Sequence, residues 1–351
     1  MSARLSLLKR LEPKRIVLIK PSALGDIVHA LPVLSALRQR FPKAHIAWVV
    51  QRAYESLLRG HPDLTELLLF ERRGGPVAFL CLLAELRERQ FDLAIDLQGL
   101  LRTGTMTAAT LAPIRLGLDG AREGARHFYT DILPLPGREQ MHAVDRYWRV
   151  AEALSAGQSP MRFIFPKNIA ADEWAADALD RYPRPWILVA PGARWETKCW
   201  PAHHFAALLA DAQYRFGGTK IFVGCKSDAE LVRQIIHLSP GAHVDLMGLT
   251  NLPQLVALLR IADALVSNDS GPLHIAAALG TPVVAPYTCT QIVRHGPYAQ
   301  FERAVQTKVP CAGSYLKRCD RLDCFRELTP DRLRPALDEV LSAWAARSRS
   351  A

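Results

Sequence analysis

The sequence predicts an α/β protein of two Rossmann-like domains facing one cleft. Short apolar strands alternate with amphipathic helices along most of the 351 residues, which argues for parallel sheets covered on both faces. Small and polar residues gather just after several strands, at the edge where open α/β sheets keep their ligands. The stretch Ser155 to Pro185 holds several Pro, Gly and Ser residues and is expected to link the domains. The expected domains are residues 1–165 and 166–329, with a terminal helix over 330–347.

Arg15 to Lys20 (RIVLIK) reads as the first strand, followed by Pro21-Ser22-Ala23-Leu24-Gly25-Asp26 and a helix with Ile27, Leu31, Leu34 and Leu37 on one side. Pro32 is expected to kink that helix, because it lacks a donor and clashes one turn back. Asp26 has two open roles. Aspartates stabilise first turns, and this one also follows the first strand, where such sheets do their chemistry. Further strands are expected at His45 to Val50, Glu66 to Phe70, Leu93 to Leu97 and Ile114 to Leu118, with helices at Ala53 to Arg59 and Pro76 to Arg89 between them. Gln98 to Gly104 opens another helix, in which Arg102 either meets an anion or lies on a solvated face. Met141 to Leu154 reads as the domain's last helix.

The second run begins with the strand Trp186 to Ala190 and a turn-rich segment from Pro191 to Pro201. A helix (His204 to Tyr214), a strand (Lys220 to Val223, then Gly224), a helix (Asp228 to His237) and a strand (Val244 to Leu246) follow. After Gly248-Leu249-Thr250 comes a helix with Leu252, Leu255, Leu258 and Leu259 on one side. The last unit is Ile261 to Tyr287. A strand ends at Ser267, the N-cap residue types Asn268, Asp269 and Ser270 follow, and Gly271-Pro272 starts an Ala-rich helix that stops at Gly280. This turn aims backbone N–H groups, a hydroxyl and the positive end of a helix dipole at one spot, which suits a phosphate. An ordinary well-capped βαβ turn uses the same residue types. Thr329-Pro330-Asp331 starts the terminal helix.

With 49% hydrophobic and 22% charged residues the composition is that of a soluble globular protein. The longest apolar run, Val77 to Leu83, is far short of the roughly 18 residues a membrane span needs. The basic N-terminus lacks a long apolar core, so a secretory signal is not expected. The formal net charge is +10, and Met1 to Pro134 holds 19 Lys and Arg against 13 Asp and Glu. That excess serves solubility or an anionic partner: acidic lipid, phosphorylated glycan or nucleic acid. No basic run with interleaved aromatics is present, which makes nucleic acid the weakest of the three. Seven scattered cysteines fit reduced cytosolic thiols better than a disulfide framework. Cys311, Cys319 and Cys324 lie close in sequence without C-x-x-C spacing; with a fourth ligand they would hold zinc, and otherwise they pack a loop. Neither half shows G-x-G-x-x-G after its first strand, which disfavours an NAD-dependent oxidoreductase.

Three motifs together resemble the ADP-heptose:lipopolysaccharide heptosyltransferases, glycosyltransferase family 9: Lys20-Pro-Ser-Ala-Leu-Gly-Asp26 with Pro32 after it, Lys198-x-Trp-Pro201, and Asn268-Asp-Ser-Gly-Pro-Leu-His274. Asp96-Leu-Gln-Gly-Leu-Leu-Arg102 also matches, and the resemblance runs from about Arg15 to about Val340. It implies a GT-B fold, with the donor on the C-terminal domain, the acceptor on the N-terminal one, and the terminal helix returning to the first domain. The implied reaction is inverting, metal-independent transfer of a heptose from ADP-heptose to a hydroxyl of an anionic lipopolysaccharide inner-core acceptor. Asp26 is the implied general base. Thr197, Lys198, Gly248, Leu249, Asp269, Ser270, Gly271 and His274 are the implied donor contacts, and Ser22, Gly25 and Arg102 the acceptor contacts. No cofactor or metal is expected beyond the ADP-sugar substrate. The implied location is cytoplasmic, with peripheral contact at the inner face of the inner membrane. Ala23 stands where some members have a second serine. Whether Asp228 or Glu230 holds the donor ribose is left open, as is His274 between a phosphate contact and packing under the turn. Another nucleotide sugar or acceptor, or nucleotide-sugar binding without transfer, remain the alternatives.

Overall fold

A computed structural model describes residues 2–349. The chain divides into two units, Met1–Lys167 and Asn168–Ala351. In the first, α1 (Ser2–Lys9), β1 (Arg15–Ile19), α2 (Leu24–Arg40), β2 (His45–Gln51), α3 (Glu55–Leu58), β3 (Glu66–Phe70) and α4 (Gly75–Glu88) are followed by β4 (Leu93–Asp96), α5 (Leu101–Ala109), β5 (Ile114–Leu118), β6 (Asp131–Leu133) and α6 (Ala143–Ala153). In the second, α7 (Ile169–Leu179), β7 (Trp186–Ala190), α8 (Ala202–Phe216), β8 (Thr219–Phe222), α9 (Ala229–Leu238), β9 (His243–Asp245) and α10 (Leu252–Ile261) lead to the last segment. That segment is β10 (Ala264–Ser267), α11 (Gly271–Leu279), β11 (Val283–Tyr287), α12 (Ile292–His295), β12 (Ala304–Gln306), α13 (Asp323–Glu327) and α14 (Pro330–Arg349).

Each unit is built on a six-stranded parallel sheet, ordered β3-β2-β1-β4-β5-β6 in the first and β12-β11-β10-β7-β8-β9 in the second. Counted from each unit's own first strand the two orders are the same. Strand order reverses beside β1 and β4 in one sheet and beside β7 and β10 in the other. A crevice opens at such a reversal, outside the strands' carboxyl ends. The central strands are buried along their length, as apolar runs such as Ile16 to Ile19 and Ile187 to Ala190 require when helices cover both faces. In the first unit Leu82 and Leu86 of α4 and Met106 of α5 pack on Val17, Ile19, Ala47 and Val49.

Several expectations need correction. The expected linker contains α7: Asn168 caps it by accepting from Ala171 N at 3.0 Å, and Ala171, Ala175 and Leu179 form its buried stripe beside α10. Proline and glycine at both ends of this stretch masked the helix between them. Strands β6 and β12, three residues each, were too short to show a pattern. The terminal helix α14 puts Leu333, Leu337, Val340 and Leu341 into the second unit's core, where the family resemblance had implied a return to the first domain. Just ahead of it, the buried Trp200 indole donates to Leu328 O at 2.7 Å, closing the second unit over its final segment. Among the described residues no helix is long and apolar enough to cross a membrane.

Candidate active site

In the first unit Asp26 lies at the third position of α2, just beyond the end of β1. One carboxylate oxygen accepts from Ala23 N at 3.1 Å, the backbone half of a capping box. The other accepts from Tyr147 Oη at 3.2 Å and lies 3.6 Å from Lys20 Nζ. Asp26 keeps 39% of its side chain exposed, whereas Lys20 is almost wholly buried. The lysine also sits 4.9 Å from the Tyr147 ring centroid. Burial alone would lower the Lys20 pKa, but Asp26 and Tyr147 outweigh it and hold the ammonium above the ordinary lysine value. A fixed positive charge thus stands behind a carboxylate that faces water. Sequence reasoning had the aspartate but missed both partners. Lys20 carried a usable signal, a charge closing an apolar strand; Tyr147 is 121 residues from Asp26 and carried none.

Across the same strand reversal, Asp96 ends β4 fully buried, accepting from Gln98 N at 2.8 Å, Gly99 N at 3.0 Å and Tyr129 Oη at 2.7 Å. Burial pushes its pKa up against these donors. It shapes the turn that leads to Arg102, whose exposed guanidinium lies 5.3 Å from the Phe70 ring centroid. Ser22 is half-buried in the loop before α2, and Gly25 is buried in that helix's first turn.

In the second unit the ends of β7 and β10 are tied together. Asn268, fully buried, donates to Pro191 O at 2.5 Å and accepts from Trp200 N at 3.2 Å. This brings the segment after β7, with Lys198 in a short helical turn, against the N-terminus of α11. Lys198 Nζ donates to Asp269 Oδ2 at 2.6 Å and rides 4.7 Å from the Trp195 ring centroid. The same carboxylate accepts from Thr290 Oγ1 at 2.6 Å, and its other oxygen lies 3.6 Å from His274 Nε2. Burial would raise the Asp269 pKa, but His274 and Lys198 reverse this and hold it well below the usual carboxylate range. Ser270 is the N-cap of α11, yet its hydroxyl makes no capping bond and lies 3.3 Å from Ser267 Oγ instead. The N-cap side chain thus satisfies none of the first-turn N–H groups of α11, to which Pro272 contributes none.

The expected donor contacts divide into groups that can meet a ligand and groups that brace the wall. Lys198, Ser270 and Gly271 are of the first kind. Asp269 is sequestered beneath them, and His274, 8% exposed, supports it. The Thr197 hydroxyl donates to Leu316 O at 2.6 Å. Gly248 N donates to Gly224 O at 2.8 Å and Leu249 N to Leu246 O at 3.1 Å, so both amides are spent within the turn. Gly248 has φ +69°, and a Cβ there would stand 2.1 Å from Lys226 Cγ. Asp228 lies against Gly192, where a Cβ would be 2.1 Å from its Oδ2, so its carboxylate faces the edge just after β7. Glu230 instead pairs with Arg233 at 3.0 Å on an exposed helix face. Among the described residues no group of three or more His, Cys, Asp and Glu is arranged to hold a metal ion. The Cys324 thiol is pushed up to about 11 by burial, with Cys311 and Cys319 adding to the shift.

The first unit thus offers a carboxylate backed by a buried lysine, and the second, described by itself, a lysine beside a helix N-terminus that its N-cap side chain leaves uncapped, which suits an anion such as a phosphate. A model of glycosyltransferase family 9 (heptosyltransferase) matches residues 80–324. The chain belongs to glycosyltransferase family 9. Among family relatives, the lipopolysaccharide core heptosyltransferase OpsX of Haemophilus influenzae is 28% identical over 298 residues, 84% of each chain. Lipopolysaccharide heptosyltransferase 1 of Pseudomonas aeruginosa is 26% identical, covering 94% of this chain and 98% of that one. Of solved structures, the family 9 glycosyl transferase of Veillonella parvula superposes with a TM-score of 0.78 at 25% identity, over 94% of this chain and 97% of that one. Escherichia coli heptosyltransferase WaaC with ADP gives 0.73 at 21% identity over 93% and 99%, a likeness of fold. The two six-stranded parallel sheets are thus the family 9, GT-B-like architecture that the resemblance implied.

Proposed function

We propose that this family 9 heptosyltransferase transfers a heptose from ADP-heptose to a hydroxyl of an anionic lipopolysaccharide inner-core acceptor, inverting the anomeric centre. The observation that carries the reading is Lys198, held by Asp269 at 2.6 Å beside the uncapped start of α11. That is an anion cradle, and the relatives' printed names supply the sugar, the nucleotide and the acceptor class.

In this mechanism the diphosphate gains negative charge as its bond to the heptose breaks. Lys198, the Ser270 hydroxyl, the first N–H groups of α11 and the helix dipole meet that charge. One such donor is worth roughly 3–4 kcal/mol in a dry site. Asp26 takes the proton from the attacking acceptor hydroxyl, a step that contributes on the order of 10²–10⁴-fold. Lys20, buried 3.6 Å behind the carboxylate, sets a positive charge against it. Asp228 accepts from the ribose hydroxyls, and the Gly248 and Leu249 carbonyls accept from the amino group of adenine. Arg102, with Ser22 and Gly25, receives the acceptor's phosphate-bearing sugars. Lysine and dipole suffice to neutralise the diphosphate, so turnover should persist in a chelator. The enzyme then works in the cytoplasm at the inner membrane's inner face.

The test is Asp26→Asn, with ADP binding and turnover measured on the same preparation. ADP affinity should hold while turnover falls by about 10²-fold or more. Near-normal turnover removes Asp26 as the base. Turnover with UDP- or GDP-sugars in place of ADP-heptose overturns the donor assignment.

A further inference from the structure

Helix α4 is apolar on two opposite faces. Phe79, Leu82, Leu83 and Leu86 turn toward the sheet and join the first unit's core. Val77, Leu80, Cys81 and Ala84, spaced i, i+3, i+4 and i+7, form a stripe on the other side. All four are exposed, Val77 at 72% and Leu80 at 63%. A helix apolar all round is normally covered by protein or lipid. Leu101, opening the neighbouring α5, adds a side chain that is 50% exposed. Arg72 and Arg73, just before α4, put two exposed charges at the stripe's N-terminal end, while at its C-terminal end exposed Arg87 is offset by exposed Glu88 on the same face. The first turn of α4 holds no acid, so the two arginines and the positive end of the helix act together.

We propose that this face seats the first unit on an anionic bilayer surface, with the Val77–Leu80–Cys81–Ala84 stripe entering the acyl boundary and Arg72 and Arg73 meeting lipid phosphates. The charge pattern selects the occupant. A second copy of the chain would set one basic end against another, whereas an anionic leaflet complements it. The stripe is short, which fits shallow insertion better than a protein interface of ordinary size. Its purpose rests on the lipid-linked acceptor proposed above, because docking would bring the acceptor-binding unit to the leaflet that carries it. Vesicle binding, read directly, decides the docking surface whether or not that acceptor is correct.

The experiment is co-sedimentation of the full chain with vesicles of phosphatidylcholine alone and with added phosphatidylglycerol. Wild type should bind the anionic vesicles and release in high salt. Val77→Ser/Leu80→Ser should weaken partitioning on the order of tenfold or more, while turnover on a soluble acceptor lacking acyl chains stays near wild type. Arg72→Gln/Arg73→Gln should weaken binding to anionic vesicles and flatten its salt dependence. Three results overturn the proposal: no binding of wild type to anionic vesicles, equal binding by the serine variant, or a wild-type dimer that the serine variant dissolves.

Discussion

Replacing Asp269 with asparagine separates a residue that orders the cradle from one that touches the ligand. The carboxylate is 5% exposed and accepts from Lys198 and Thr290 at 2.6 Å each, with His274 Nε2 at 3.6 Å. A hydrogen bond to a charged group contributes about 1.5–3 kcal/mol, and removing one member of a buried ion pair costs about 3–5 kcal/mol. Lys198 retains 16% exposure and can lean toward water, so the lower part of that range applies. A loss of about 2–4 kcal/mol follows, or roughly 5–15 °C in Tm for a unit of this size. The effect should depend on pH. The folded Asp269 pKa is depressed below its unfolded value of about 3.9. Its contribution is therefore whole above about pH 4, and disappears as pH falls through the folded value. Thermal melts of both proteins should differ at pH 7 and converge in acid. ADP titration should show about tenfold weaker binding, because the Lys198 ammonium is no longer aimed. Lys198→Met closes a double-mutant cycle, with an expected coupling of at least about 1 kcal/mol. An asparagine variant within about 0.5 kcal/mol of wild type, binding ADP normally, would refute the positioning role.

Two further outcomes are expected. Gly248→Ala forces a side chain into a left-handed backbone and onto Lys226, and should cost about 1–2 kcal/mol with a matching loss of ADP affinity; an unchanged Tm would show that the loop relaxes freely. Lys220 is enclosed with its ammonium donating to Ser239 O at 2.6 Å, and burial lowers its pKa to about 8. The unfolded chain then binds more protons between pH 8 and about 10.4, so this group's contribution to stability rises with pH across that window. Lys220→Met should lack this rise, as denaturant melts at pH 7 and pH 10 would show. Parallel pH profiles for the two proteins would remove Lys220 as the cause.

Much of the architecture was written locally. Apolar runs of four to seven residues, each followed by small or polar groups, marked the central strands because both faces of a parallel sheet must be dry. The Asn268-Asp269-Ser270-Gly271-Pro272 turn was legible for the same reason: each residue type answers a local backbone need. What escaped depended on partners distant in sequence. Thr290 converges on Asp269 from 21 residues away, a bond that nothing in the local turn announces. The Thr197 hydroxyl likewise finds its acceptor, Leu316 O, 119 residues away. Helical spacing in α14 announced an apolar face without naming the surface it covers. For Asp228 and Glu230 the sequence offered two acids of equal standing; that Asp228 lies against Gly192 was not legible locally, because the contact spans 36 residues.

The bond from Trp200 to Leu328 and the apolar face of α14 bear on the order in which the chain matures. Domains generally fold as units while synthesis proceeds. The first has its six strands by residue 133 and its last helix by 153, so it can fold while the remainder is being translated. The second holds an open greasy seam until residues 333–341 leave the ribosome. Trimming those residues would leave one half native and the other prone to aggregate, so tags and fusions belong beyond this helix and never in place of it.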